Sequence, residues 1–188
     1  MEPISQALIQ DVKVTQQESS FAILTSMKLF DGDDLGGPFD LIAGLPLHPL
    51  ASHAPVVLVP LVAFAALAMS YWPSFSRRYG LPVLVLAVIS QLSLFLAKAS
   101  GESFQERLNK EVERHESYGE IAPFTFIPLL ILLFIRYRMD KTGAGIGSPV
   151  VRRLVSILLA LAAILALVYI FLTGHSGAES VWGWLAKN

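Results

Sequence analysis

Apolar residues in this chain are gathered into blocks rather than spaced along one face of each segment. Ala54 to Trp72 is broken only by Ser70. Leu81 to Ala99 admits Ser90, Gln91, Ser93 and Lys98, and Leu154 to Leu172 admits Ser156. A third block, Ile121 to Ile135, is shorter at 15 residues and carries no charge. A helix crossing a bilayer needs roughly 20 apolar residues, with a range near 17–25. Blocks one, two and four meet that length. The third reaches it by running back through Tyr118 and Gly119 or forward through Tyr137, with Pro123 and Pro128 bending it. The pattern predicts an all-α protein, a four-transmembrane-helix bundle with spans at about 54–72, 81–99, 119–137 and 154–172.

Outside the blocks the pattern changes. Residues 1–44 form an acidic tail ahead of the bundle domain at 45–188. Ile4, Leu8 and Val12 fall at helical spacing, as do Phe21, Leu24 and the Met27–Leu29 stretch, so the tail is read as one or two short surface helices. The run from Asp31 to Pro38 reads as a solvated turn, because the later ligands and bidentate Glu of a calcium loop are missing. The charged segment Ser100–Glu120 reads as two helix extensions rising above the membrane with a turn near Asn109. Glu106, Lys110 and Arg114 sit four apart there, as helical ion pairs require.

Composition agrees with a membrane protein. Of 188 residues, 54% are hydrophobic and 15% are charged, against about 25% charged in soluble domains. Mean hydropathy is +0.57. A net charge of −1 gives no basic surface for nucleic acid. The chain has no cysteine, which excludes disulfides, thiolate metal sites and covalent c-type haem attachment. Residues Met1 to Phe30 lack the basic start and apolar core of a cleavable signal peptide.

Loop charge sets the expected orientation. Arg77 and Arg78 join blocks one and two. Arg136, Arg138, Lys141, Arg152 and Arg153 surround the junction of blocks three and four, opposed only by Asp140. The positive-inside rule makes both junctions cytoplasmic and puts both termini outside.

That topology gathers every histidine at the outer end. His48 and His53 precede span one, His115 precedes span three, and His175 follows span four. Histidine is the commonest protein metal ligand and a common axial ligand of haem iron. Two imidazoles from different helices suit a haem b; three or four suit zinc or copper. Candidate metal ligands are therefore His48, His53, His115 and His175. Candidate haem-contacting residues are His53, His115 and His175, with Gly119 and Lys98. Gly119 lies one helical turn from His115, where a missing side chain lets a flat porphyrin approach. Lys98 belongs to a polar stripe with Gln91, Glu102 and Gln105, and would pair with Glu102 or with a haem propionate. Glu179 is placed to orient His175, and Trp182 and Trp184 look like interfacial anchors. Each histidine also has a purely structural reading, as a helix-end residue bonded to backbone groups. The zinc-protease pattern fails at His115-Glu116, since position 119 is Gly where that motif needs His.

The stretch Gly44-Leu-Pro-Leu-His-Pro-Leu-Ala-Ser-His-Ala-Pro55 resembles the opening of the bacterial membrane family called domain of unknown function 2231. His115 with Gly119, and Gly174-His-Ser-Gly-Ala178, are similar to that family's later pieces. The resemblance covers about Gly44 to Trp184. It implies a four-span bacterial membrane protein without an established activity, and the expected location is the bacterial cytoplasmic membrane. A further likeness, to two-haem membrane cytochromes, departs at the cytoplasmic side, where this chain has no histidine; one outer haem at most is implied.

The sequence thus points to a membrane protein whose outer mouth binds haem b or a divalent metal ion, in redox or metal handling. The alternatives are an accessory or scaffold subunit, whose partner is another membrane protein or a second copy, and a small transporter using the Gln91–Lys98–Glu102 stripe. No reaction is assigned.

Overall fold

The computed structural model describes residues 39–108, 113–141 and 148–187. Residues 1–38 lie outside this set, and with them the tail helices and the Asp31 turn. The turn near Asn109 and the Lys110 pairing lie outside it too. A small antiparallel hairpin comes first: β1 (Leu41–Ile42) and β2 (Leu45–Pro46). Ala43 and Gly44 have φ of 52° and 79°. A two-residue hairpin turn of this hand needs positive φ at both places, which glycine adopts freely. The Leu47 amide then donates to the Asp40 carbonyl at 2.8 Å, aiming the chain into the bundle.

Helix α1 (Leu47–Ala51) runs through Ser52 into α2 (His53–Tyr71). The remaining long helices are α3 (Pro73–Leu108), α4 (Glu113–Lys141) and α5 (Pro149–Trp182), closed by a 3₁₀ turn at Gly183–Lys187. Proline marks the starts. Pro73 opens α3, and Pro149 opens α5 behind Ser148, whose hydroxyl accepts from the Val151 amide at 3.4 Å. A proline in the first turn removes no bond, because that amide has no intrahelical partner. Pro60, Pro82, Pro123 and Pro128 lie inside helices. They do remove backbone bonds.

Among the described residues four helical segments are long and apolar enough to cross a membrane: Leu47–Tyr71, Pro73–Gln105, Glu113–Lys141 and Pro149–Leu185. All four exceed the apolar blocks of the sequence, the fourth by most. Helix α2 packs against α3 and α5, and α4 packs against the same two, so the bundle closes as a ring in chain order. The interior is built from Val59, Val62, Ala63 and Ala66 on α2, Ala87 and Leu94 on α3, Phe126, Leu129 and Leu133 on α4, and Leu159, Ala163 and Ala166 on α5. Alanine is prominent because lipid supplies no hydrophobic drive between helices; close backbone approach and dispersion do the work. Large side chains such as Val57, Phe64, Leu92 and Phe171 point outward, where a soluble protein would place charge. Mid-helix hydroxyls are satisfied within their own helix: Ser70 donates to Ala66, Ser90 to Leu86, Thr125 to Ala122 and Thr173 to Tyr169, at 2.8–2.9 Å.

One reading of the sequence needs correction. Arg136, Arg138 and Asp140 are not loop residues, because α4 continues to Lys141. Arg136 and Asp140 are both 2% exposed. The Asp140 carboxylate meets Arg136 Nε at 2.8 Å and Arg152 Nη1 at 2.6 Å, and Arg136 Nη1 donates to Ser156 Oγ at 2.5 Å. Buried charge persists only when paired, so these three residues act as an internal tie between α4 and α5.

Candidate functional site

The site lies at the end of the bundle opposite that tie. His48 sits in α1, before the first long helix, and His115 sits in the first turn of α4. Both helices run the same way, so their starts meet across the ring. The two imidazoles are half-buried, with ring centres 5.8 Å apart and planes at 67°.

The His48 ring is held by the far end of α3 and the His115 ring by the far end of α5. His48 Nδ1 lies 2.9 Å from the Ala97 carbonyl and 3.3 Å from Ser100 Oγ. His115 Nδ1 lies 3.0 Å from the Thr173 carbonyl. A carbonyl only accepts, so each ring carries a proton on Nδ1, and in the neutral imidazole this leaves the lone pair on Nε2. Among the described residues neither Nε2 has a hydrogen-bond partner. Histidines that bind metal have this arrangement, with one nitrogen anchored and the other free to donate.

Two glycines that sequence reasoning missed make the approach possible. A Cβ on Gly101 would stand 3.1 Å from His48 Cε1 and 3.2 Å from Nδ1. A Cβ on Gly177 would stand 3.0 Å and 3.1 Å from the same atoms of His115. The signal was present as a repeated local string: Ser100-Gly101 is followed by Glu102 and Ser103, and Ser176-Gly177 by Ala178, Glu179 and Ser180. Phe104 stacks beside His48 at 6.0 Å.

The other candidates stand apart from this pair. His53 is exposed, and its Nδ1 turns back to the Pro49 carbonyl at 2.5 Å. His175 is exposed and stacks on Phe171 one turn earlier, with ring centres 5.8 Å apart. Glu179 faces Arg114 at 3.9 Å. Lys98 is ion-paired with Glu102. The two border an outward groove of about 430 Å³ whose floor is Phe39, Leu92, Phe95 and Leu96. Of the polar stripe, Gln91 faces inward and donates to the Pro123 carbonyl at 3.0 Å, and Gln105 reaches Glu116 at 3.0 Å. Gly119 has no atom within 4 Å of where a Cβ would stand, so the space beside it is open. A void of about 10 Å³ lies deeper in the bundle, lined by Val59, Leu94, Ala122, Thr125, Phe126 and Tyr169 among others; it is the size of one water. Among the described residues no three His, Asp or Glu side chains come together as a metal-ion ligand set. The structure therefore brings together two of the four histidines.

No curated protein and no solved structure matches the chain. A family model described as a predicted membrane protein, DUF2231, matches residues 44–186. That span begins at Gly44 of the hairpin turn and takes in all four long helices and both histidine anchors, and the chain belongs to this family of predicted membrane proteins.

Proposed function

We propose that the protein is a cytoplasmic-membrane protein whose His48–His115 pair ligates a transition-metal centre at the outer mouth, with haem b the preferred occupant. The single observation behind this is the pairing of two Nδ1-anchored imidazoles at 5.8 Å. Two imidazoles that bind one metal at about 2.1 Å each would hold their ring centres no more than roughly 6.5 Å apart, and the observed separation falls inside that limit. Two protein ligands complete a haem iron, whose porphyrin supplies the other four nitrogens, whereas zinc sites draw on three or four side chains. The open space beside Gly119 is consistent with a macrocycle reaching past His115. The deep void is far too small for one, so a porphyrin must lie at the mouth, between the helix ends. His53 and His175 then serve no ligand role, and Lys98 keeps its partner Glu102. We place the histidine end outside, the arginine end in the cytoplasm, and the role in electron transfer or metal handling.

The test is purification from cells replete in haem and metals, followed by visible spectra and elemental analysis. The expected result is one haem or one metal per chain, lost in His48→Ala and in His115→Ala while helical content is retained. A colourless, metal-free protein refutes the reading.

A specific observation also favours an accessory-subunit role. Each anchored ring ties the start of one helix to the end of the next, so the pair serves equally as a clamp. Under that role the same two variants lower the unfolding temperature of a protein that never carried a cofactor.

A further inference from the structure

The two histidine anchors are the same object twice. In each, an imidazole Nδ1 meets a carbonyl at 2.9 or 3.0 Å. In each, the serine three places later donates to that same carbonyl at 3.1 Å. In each, the glycine after that serine lies under the ring, with hypothetical Cβ distances that agree to 0.1 Å. The likeness extends along the helices. The separation that relates His48 to His115 also relates Val59 to Phe126, Val62 to Leu129 and Ala66 to Leu133, all buried. The separation that relates Gly101 to Gly177 also relates Val83 to Leu159, Ala87 to Ala163 and Leu94 to Ile170, all buried. Exchanging α2 with α4 and α3 with α5 leaves the packing ring unchanged. The likeness stops at the arginine end, where Met69 and Ser76 stand in the places of Arg136 and Arg152.

We infer that the bundle is one helical hairpin repeated in tandem about a pseudo-two-fold axis parallel to the helices, and that His48 and His115 are the two equivalent halves of a single site on that axis. Ser100-Gly101 and Ser176-Gly177 are its positioning residues. They fix both rings in one tautomer, which leaves Nε2 as the ligating atom of each toward one electron-pair acceptor: a transition-metal cation, free or as haem iron. This rests on the proposed metal-centre reading, which it deepens by making both ligands equal contributors and the stoichiometry one. A hairpin that repeats within one chain and faces itself places any shared ligand on the axis, as in an isologous dimer interface.

The test uses the full chain in detergent with ¹⁵N-labelled histidine. Long-range ¹H–¹⁵N spectra, assigned with His48→Ala and His115→Ala, read the tautomers directly. Both rings are expected to be protonated on Nδ1 with a bare Nε2. Zinc ions in one arm and haemin in another distinguish the two forms of the acceptor. The acceptor that binds is expected to shift both ring signals together, saturating at one equivalent. Gly101→Ala and Gly177→Ala are each expected to weaken binding by about 10–100-fold, as loss of an orienting contact to a ligand histidine does, and by similar factors. Ser100→Ala and Ser176→Ala repeat the comparison with less risk to folding. Opposite tautomers, two equivalents bound, or one glycine variant silent while the other loses binding overturns the equivalence. Two Nδ1–H rings with no binding of either probe leaves the repeated hairpin standing and overturns the metal-centre reading.

Discussion

Replacing Asp140 by Ala is the sharpest test of the packing at the arginine end. The carboxylate is fully enclosed and is shared between Arg136, whose side chain is 3% exposed, and Arg152, at 34%. Arg152 can turn toward water when its partner is gone. Arg136 cannot, and it keeps only Ser156 and its own helix. Removing one member of a buried pair costs about 3–5 kcal/mol, because the surviving charge stays buried. At about 2–4 °C per kcal/mol for a chain of this size, the unfolding midpoint should fall by roughly 6–20 °C. The fluorescence of Trp72, Trp182 and Trp184 reports unfolding in detergent, and the lack of cysteine makes thiol-reactive dyes useless here. A double variant separates charge from packing. Arg136→Met with Asp140→Leu removes both charges, and methionine already occupies the equivalent place, Met69, in the first hairpin at 0% exposure. Apolar replacement of a whole buried pair is often neutral or stabilising, so this protein should recover most of the loss. A midpoint shift under about 3 °C for Asp140→Ala, or a double variant no better than the single, would refute the argument.

Gly80→Ala drives a Cβ into the Tyr137 ring; overpacking of this kind costs about 1–3 kcal/mol, read as a lower unfolding midpoint, and an unchanged midpoint means that α3 and α4 are not that close. Gln91→Leu removes the donor to Pro123 together with a buried carbonyl oxygen that lacks a partner among the described residues. The two effects oppose, so stability should change by no more than about 1 kcal/mol, and a larger loss would reveal a partner for that oxygen. His53→Ala and His175→Ala should leave the visible spectrum and metal content of the purified protein unchanged, since both rings are exposed and apart from the pair; loss of cofactor in either would return it to the ligand set.

The membrane class, the four helices and their order follow from the sequence alone. Apolar blocks of bilayer length leave few other structures, since only helices and closed barrels satisfy backbone polar groups in lipid. Gly44 to Pro55 was enough to suggest the family. The placement of all four histidines at one end was legible for the same reason, because it depends only on how many times the chain crosses. Which of them meet was not legible. That depends on the rotation of each helix about its axis, and helices that are apolar all round carry no stripe to reveal it. His53 and His48 are five residues apart, yet one faces outward and the other faces its counterpart across the ring. Lys98 and Gln91 share a helical face by spacing, yet Gln91 is buried while Lys98 borders an outward groove. Arg136 and Asp140 read as loop charges because charge predicts water; their mutual pairing, visible only once α4 and α5 are packed, lets them lie inside. The sequence determined how often the chain crosses and which end each residue reaches. Tertiary packing decided which faces turn inward, because close contact at Gly80, Gly101 and Gly177 sets helix rotation where hydrophobicity cannot.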